Sequence, residues 1–256
     1  MLKIKEVTQI FGGLIALNNV SIVVKESEIL GLIGPNGSGK TTLINVITGF
    51  CNPKKGSILF KKINITNQYS YNIAKMGLVR TFQNINLFSQ MTALENVMTG
   101  RFYHMHSSLP QVIINSSFFT REKKECQNFA GEILSFVGLK GNENIEARNL
   151  PYGQQRLLEI ARALATEPQF LLLDEPVAGM NEQESYKVAA LIKKLQKKGI
   201  TILLVEHHMR FVMNLCERII VLNSGVAIAE GIPEEIQNNE EVIKVYLGIG
   251  KGHKNA

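Results

Sequence analysis

Between residues 28 and 48 an apolar run, a glycine-rich loop and a helix-compatible run follow one another directly, and that order constrains the fold more than any other stretch. Glu28-Ile29-Leu30-Gly31-Leu32-Ile33 reads as a buried strand. Gly34-Pro35-Asn36-Gly37-Ser38-Gly39-Lys40-Thr41 fits G-x-x-x-x-G-K-[ST]. Lys40 to Thr48 is compatible with a helix that stops before Gly49. The loop glycines let the backbone turn tightly and aim successive N–H groups at the β- and γ-phosphates of a nucleotide. The helix N-terminus adds a partial positive charge and Lys40 a full one. Thr41 is placed to offer its hydroxyl to Mg²⁺. A glycine-rich turn that binds nothing is the plain alternative, and the flanking strand and helix argue against it.

The chain has 256 residues, room for one large domain or one domain with a sizeable insertion. No uninterrupted apolar stretch approaches the roughly 18–20 residues needed to span a bilayer. The N-terminal Met1-Leu2-Lys3-Ile4-Lys5-Glu6 alternates and lacks the apolar core of a signal peptide. Cys51, Cys126 and Cys216 are scattered and form no C-x-x-C pair, as expected of reduced thiols in a cytosolic protein. The net charge of +6 is carried largely by helix-compatible runs such as Lys193-Lys194 and Lys197-Lys198, where a solvated face is the default. No nucleic-acid partner is expected from it.

Residues 2–10 and 20–24 read as strands, with Phe11 and Gly12-Gly13 between them, and Ser57 to Phe60 as another after a turn at 52–56. From about 85 to 165 strand signals fade, and the stretches 92–100, 121–138 and 154–166 are helix-compatible. Residues 104–120 are polar and irregular. Strand character returns at Phe170 to Leu173 and Ile200 to Val205, continuous apolar runs of the kind buried on both faces. Glu182 to Lys198 is amphipathic and ends at Gly199. Arg218 to Leu222 and Val226 to Ala229 flank Asn223-Ser224-Gly225, a hairpin pattern, and Pro233-Glu234-Glu235 opens the last expected helix. The scheme is an α/β core interrupted by a helical insertion: core 1–84 and 166–248, helical part 85–165, and a disordered tail 249–256.

Leu171-Leu172-Leu173-Asp174-Glu175-Pro176 puts two carboxylates at the exit of an apolar strand, the edge of an open α/β sheet where ligands bind. Beside a phosphate loop, Asp174 suits Mg²⁺ held through water, and Glu175 suits the polarisation of a water that attacks the γ-phosphate. A helix cap is the structural alternative for the pair. His104 and His106 lie two apart without other ligands nearby, and a solvated surface explains them better than a metal.

With these motifs in order, the chain resembles the ATP-binding subunits of ABC transporters over nearly its full length. The resemblance implies a RecA-like P-loop NTPase core with an antiparallel β subdomain and a helical insertion. Gln83, in Arg80-Thr81-Phe82-Gln83-Asn84, is similar to the glutamine that reaches Mg²⁺ and water at the hinge of the helical part. Leu150-Pro151-Tyr152-Gly153-Gln154-Gln155-Arg156 resembles the signature segment, and Ala178-Gly179-Met180-Asn181 the loop after the carboxylate pair. His207 resembles the histidine that contacts the γ-phosphate, chosen over His208 by motif position, and Phe11 the aromatic that stacks on adenine. The implied nucleotide contacts are Phe11, Gly34, Pro35, Asn36, Gly37, Ser38, Gly39, Lys40, Thr41 and Thr42, with Gly153 and Gln154 reaching the nucleotide of a second subunit. Catalysis is expected of Glu175, His207 and Gln83, and Mg²⁺ binding of Thr41, Gln83 and Asp174. The cofactors implied are ATP and Mg²⁺.

One departure stands out. The usual signature is Leu-Ser-Gly-Gly-Gln, and Pro151 and Tyr152 replace its second and third residues. Pro151 has neither hydroxyl nor N–H to donate, and Tyr152 lacks the freedom of glycine. Either the half-site is weak, or a subfamily uses a variant signature; intact Glu175, Gln83 and His207 favour the second. Phe11 to Leu17, Gly77 to Gln83, Gln155 to Arg162 and Val245-Tyr246-Leu247-Gly248 resemble the branched-chain amino acid importer, in its G-type ATP-binding subunit. That resemblance implies transmembrane permease subunits, a second ATPase subunit joined head to tail, a substrate-binding protein acting indirectly, and a peripheral place on the cytoplasmic face of the membrane. Urea or amide uptake, lipopolysaccharide export and a soluble ABC-type ATPase remain as alternatives.

Overall fold

The computed structural model describes residues 1–104, 107 and 116–247. His106, Pro110, most of the polar stretch and the tail 249–256 lie outside the described residues. Contacts divide the chain into two compact units. One comprises Met1–Arg80, Gln169–Glu175 and the chain from Ile192 onward; the other comprises Thr81–Pro168 and Pro176–Leu191.

The first unit carries two sheets. Strands β1 (Leu2–Phe11), β2 (Leu14–Val24), β4 (Lys55–Phe60) and β5 (Ile63–Asn64) form an antiparallel sheet in the order β2-β1-β4-β5. The first two are longer than their sequences suggest: pairing runs on to Phe11↔Leu14, and Gly12-Gly13 is the hairpin turn itself. The second sheet holds β3 (Ile29–Ile33), β6 (Leu78–Arg80), β7 (Phe170–Asp174), β8 (Thr201–Val205), β9 (Arg218–Asn223) and β10 (Val226–Gly231). Its order is β10-β9-β3-β8-β7-β6, parallel except for the β9–β10 hairpin. β3, β7 and β8 are buried at every position, which is why their sequences are continuous apolar runs and not alternating ones.

Helix α1 (Lys40–Ile47) buries Leu43, Ile44, Val46 and Ile47 in the core that the two sheets share with it. Phe60 from one sheet meets Phe170 from the other edge to face, 6.0 Å between centroids, worth roughly 0.5–1.5 kcal/mol beyond the area buried. The parallel strands all end on one edge, so the residues after Ile33, Asp174 and Val205 emerge side by side. α2 (Ser70–Lys75) lies in this unit as well.

The second unit is helical: α3 (Ala93–Arg101), α4 (Ser117–Val137), α5 (Tyr152–Leu164) and the first part of α6 (Glu182–Lys197). α3 begins with a capping box between Thr92 and Glu95. Buried Asn96 donates to the carbonyls of Phe88, Met91 and Thr92 and accepts the Phe88 N–H at 2.9 Å, so one side chain satisfies a whole loop. α5 starts at Tyr152, inside the signature segment and two residues before its expected start.

In the first unit, α7 (Met209–Leu215) follows β8, and the C-terminal region differs from expectation. Pro233 does not open the last helix. α8 (Pro233–Gln237) stops, and Asn239 caps a separate α9 (Glu240–Leu247) by accepting the N–H groups of Glu241 and Val242 at 2.9 and 3.1 Å.

All three thiols are free, Cys126 and Cys216 buried and Cys51 half-buried. Burial pushes the Cys216 thiol from about 9.0 up to about 12, with the Glu217 and Glu206 charges acting in the same direction. The folded state therefore holds the proton where the unfolded chain releases it. The contribution to stability is level below pH about 9 and declines as pH rises towards 12. At pH 8 a thiol reagent is expected to label Cys51 first and Cys216 only on unfolding; equal rates in the native protein would contradict its burial.

Candidate functional site

The phosphate loop bridges β3 and α1 in the first unit. α1 has no side-chain cap, so its first-turn N–H groups remain available to an anion. Gly39, at the N-cap, has φ 104°, and a Cβ there would lie 2.6 Å from the Ala16 carbonyl, so only glycine fits. The Ser38 carbonyl accepts the N–H of Gly225, the β9–β10 turn residue, at 2.9 Å. Lys40 Nζ donates to the Gly34 and Pro35 carbonyls at 2.7 and 3.0 Å, folding back across the loop. Burial lowers the Lys40 pKa, and the charges of Glu175 and Asp174 work against that shift, which places both carboxylates in its field. Burial also raises the Tyr246 phenol, while the Gly34 N–H beside it pulls the other way.

At the exit of β7, Asp174 is buried and its Oδ2 accepts Arg80 Nη2 at 2.8 Å. Arg80 Nη1 donates to Asn45 Oδ1 of α1 at 2.7 Å, so one guanidinium ties β6, β7 and the phosphate-loop helix together. Glu175 adopts φ 49°, a left-handed conformation that costs a non-glycine residue on the order of 1 kcal/mol, and its N–H donates to the Val205 carbonyl at 2.8 Å. His207, half exposed, stands with Nδ1 3.6 Å from Glu175 Oε1 and 3.9 Å from Glu206 Oε2. Glu206 is fully buried and accepts the N–H groups of His207 and His208 at 3.0 and 3.2 Å, which shapes the turn that presents His207.

The structure thus gathers Gly34 to Thr42, Asp174, Glu175 and His207 at one edge of the parallel sheet. Phe11 is half exposed at the end of β1. Gln83, Gly153 and Gln154 belong to the second unit. There the Gln83 carbonyl accepts Arg156 Nη2 at 2.7 Å, Gln154 Oε1 accepts Asn142 Nδ2 at 3.0 Å, and Gly153 packs on the Glu184 carboxylate. His104 Nε2 lies 3.4 Å from the Thr166 carbonyl and 3.7 Å from Glu167 Oε2, a structural setting.

Sequence reasoning passed over Arg80, Asn45, Arg156, Glu159 and Glu206. The one available signal was placement: Arg80 ends an apolar strand, and Arg156 and Glu159 fall among the apolar positions of an amphipathic helix.

The residues fit a magnesium nucleotide. Buried Ser38 Oγ has no hydrogen-bond partner among the described residues, an acceptor-seeking hydroxyl inside the cradle. Thr41 and Asp174 carry oxygens of the hard kind that Mg²⁺ prefers, and Lys40 carries a positive charge suited to phosphate oxygens.

The ABC transporter family model matches residues 17–178. A second, described as the branched-chain amino acid ATP-binding cassette transporter, matches 228–251. The chain belongs to the ABC transporter family and is one of its ATP-binding ATPase cassettes. Within that family it is 44% identical over 239 residues to the high-affinity branched-chain amino acid transport ATP-binding protein LivG of Escherichia coli K12, covering 93% of this chain and 94% of the relative. A crystal structure of an ABC transporter cassette in its ADP conformation is similar with TM-score 0.85 and 34% identity, over 97% of this chain and 98% of that one. The dimeric post-hydrolysis state of another cassette, bound to ADP and Pi, aligns with TM-score 0.77 and 30% identity, over 91% and 99%.

Proposed function

We propose that this chain is the ATP-hydrolysing subunit of an ABC transporter that takes up branched-chain amino acids, working from the cytoplasmic face of the membrane. What carries the reading is the convergence of Lys40, Asp174, Glu175 and His207 on one sheet edge in a chain so similar to LivG. The loop N–H groups and Lys40 hold the β- and γ-phosphates of ATP, and Phe11 offers its exposed ring to adenine. Glu175 accepts a proton from the attacking water, and His207, 3.6 Å away, orients that carboxylate and meets the γ-phosphate. Gln83 positions the same water. Mg²⁺ held by Thr41, Asp174 and Gln83 would neutralise charge developing on the phosphate oxygens.

Two ATPase subunits meet head to tail, with Gly153 and Gln154 of each facing the nucleotide of the other. ATP joins them and hydrolysis releases them, a ligand-driven shift of population. The helical second unit receives the permease subunits, and a substrate-binding protein delivers cargo from the far side. Removing the chain from cells is expected to reduce high-affinity uptake of radiolabelled leucine, isoleucine and valine at least about tenfold. Unchanged uptake of all three, with loss of urea uptake or of an exported lipopolysaccharide, would assign the subunit to another cargo.

A further inference from the structure

Two charged side chains of α5 are almost wholly withdrawn from water: Arg156 at 1% exposure and Glu159 at 2%. They pair at 2.8 Å, yet a buried ion pair stabilises a fold no better than apolar residues of similar size. Three further bonds go to the backbone of two residues. Arg156 Nη1 donates to the Phe82 carbonyl and Nη2 to the Gln83 carbonyl, each at 2.7 Å. Glu159 Oε1 accepts the Phe82 N–H at 3.1 Å. Three backbone polar groups of Phe82 and Gln83 are thereby fastened to the helix that begins in the signature segment.

The fastening extends to the residue that makes the signature unusual. Arg156 Nη2 also donates to the Tyr152 hydroxyl at 3.3 Å, and the same tyrosine ring faces Gly179, where a Cβ would come within 3.2 Å of Cε1. All of these residues lie in the second unit. A glycine at position 152 would make neither contact.

We propose that Tyr152 and Arg156 form a joint that sets the position of Gln83, so that the signature segment, the loop around Gly179 and the glutamine move as one body. The proposal rests on the ATPase reading above and deepens it: the variant signature gives up hydroxyl and glycine contacts and gains a mechanical link to the glutamine of the same chain. Arg156 is a positioning residue. Its planar fork reaches two carbonyls and a carboxylate at once, which a lysine ammonium on a flexible stem does not reproduce.

The test is a double-mutant cycle on the transporter purified from membranes, with variants R156K, Q83A and the double, plus Y152F. R156K and Q83A are each expected to lower kcat about 10- to 100-fold, because a misplacement of roughly 1 Å has effects of that size. The ATP affinity of R156K should stay within about twofold, and the double variant should be no slower than Q83A alone. Y152F should show a smaller loss of kcat with unchanged melting temperature. Losses that multiply in the double variant, with Q83A itself impaired, would overturn the joint and leave the ATPase reading intact. A Q83A enzyme with normal kcat would overturn the joint together with the role assigned to Gln83. Full kcat in R156K would overturn the joint alone.

Discussion

Glu175→Gln is expected to lower ATP turnover by roughly 10²- to 10⁴-fold, the share a positioned general base contributes, while ATP still binds. The amide has nearly the shape of the carboxylate, so the left-handed turn at residue 175 and its N–H bond to the Val205 carbonyl survive. What disappears is the proton acceptor beside His207. The substitution also removes a negative charge from the neighbourhood of Lys40, where incoming phosphates must sit, so affinity should rise. Bound but unhydrolysed ATP would then hold two subunits together. Turnover measured alongside gel filtration with ATP reads both effects. Wild-type turnover would remove Glu175 as the base, and slow turnover without a dimer would separate catalysis from the head-to-tail arrangement.

Lys40→Ala is expected to weaken ATP binding by at least about 100-fold, near 2.7 kcal/mol, the scale of one or two charge-assisted hydrogen bonds. Nζ folds onto the Gly34 and Pro35 carbonyls, at the centre of the loop. Burial keeps its pKa below the ordinary 10.5, with Glu175 and Asp174 limiting the drop. The sign for binding follows from that. Phosphate needs the ammonium form, so affinity should fall as pH rises through the lowered pKa, earlier than for an exposed lysine. Titration with a fluorescent ATP analogue across pH measures this, and an unchanged affinity in the alanine variant would undo the assignment of the loop.

Much of this was legible in the chain itself because the informative residues act locally. Strand, loop and helix around Lys40 follow one another within 20 residues, and the turn demands of Gly39 are a property of its own backbone. Asp174 and Glu175 declared themselves by closing an apolar strand. Misjudged elements fail for equally local reasons. Pro233 was expected to open the last helix, yet Asn238 and Asn239 divide the stretch after it, because a short polar side chain there prefers to stop one helix and cap the next. Tyr152-Gly153 lacks strong helix formers, which hid the start of α5 inside the signature. Arg80, Arg156, Glu159 and Glu206 were hidden differently. A charged residue next to an apolar run or within an amphipathic helix reads as solvated, and only the folded structure reveals the distant partners of Arg80, which meets Asp174, of Arg156, which meets Phe82 and Gln83, and of Glu159, which meets Phe82. The residues proposed for metal binding and catalysis were thus visible as motifs, while the buried side chains bonded around them were not.

The claim that all of this chemistry serves a membrane transporter is tested most directly by purifying the tagged chain from its native membranes in mild detergent and identifying its companions by mass spectrometry. The expected result is two hydrophobic permease subunits and a second ATPase, with a binding protein that takes up leucine, isoleucine or valine. A chain that emerges without any membrane protein, or in company with soluble nucleoprotein, would contradict the transporter assignment and leave only the ATPase site standing.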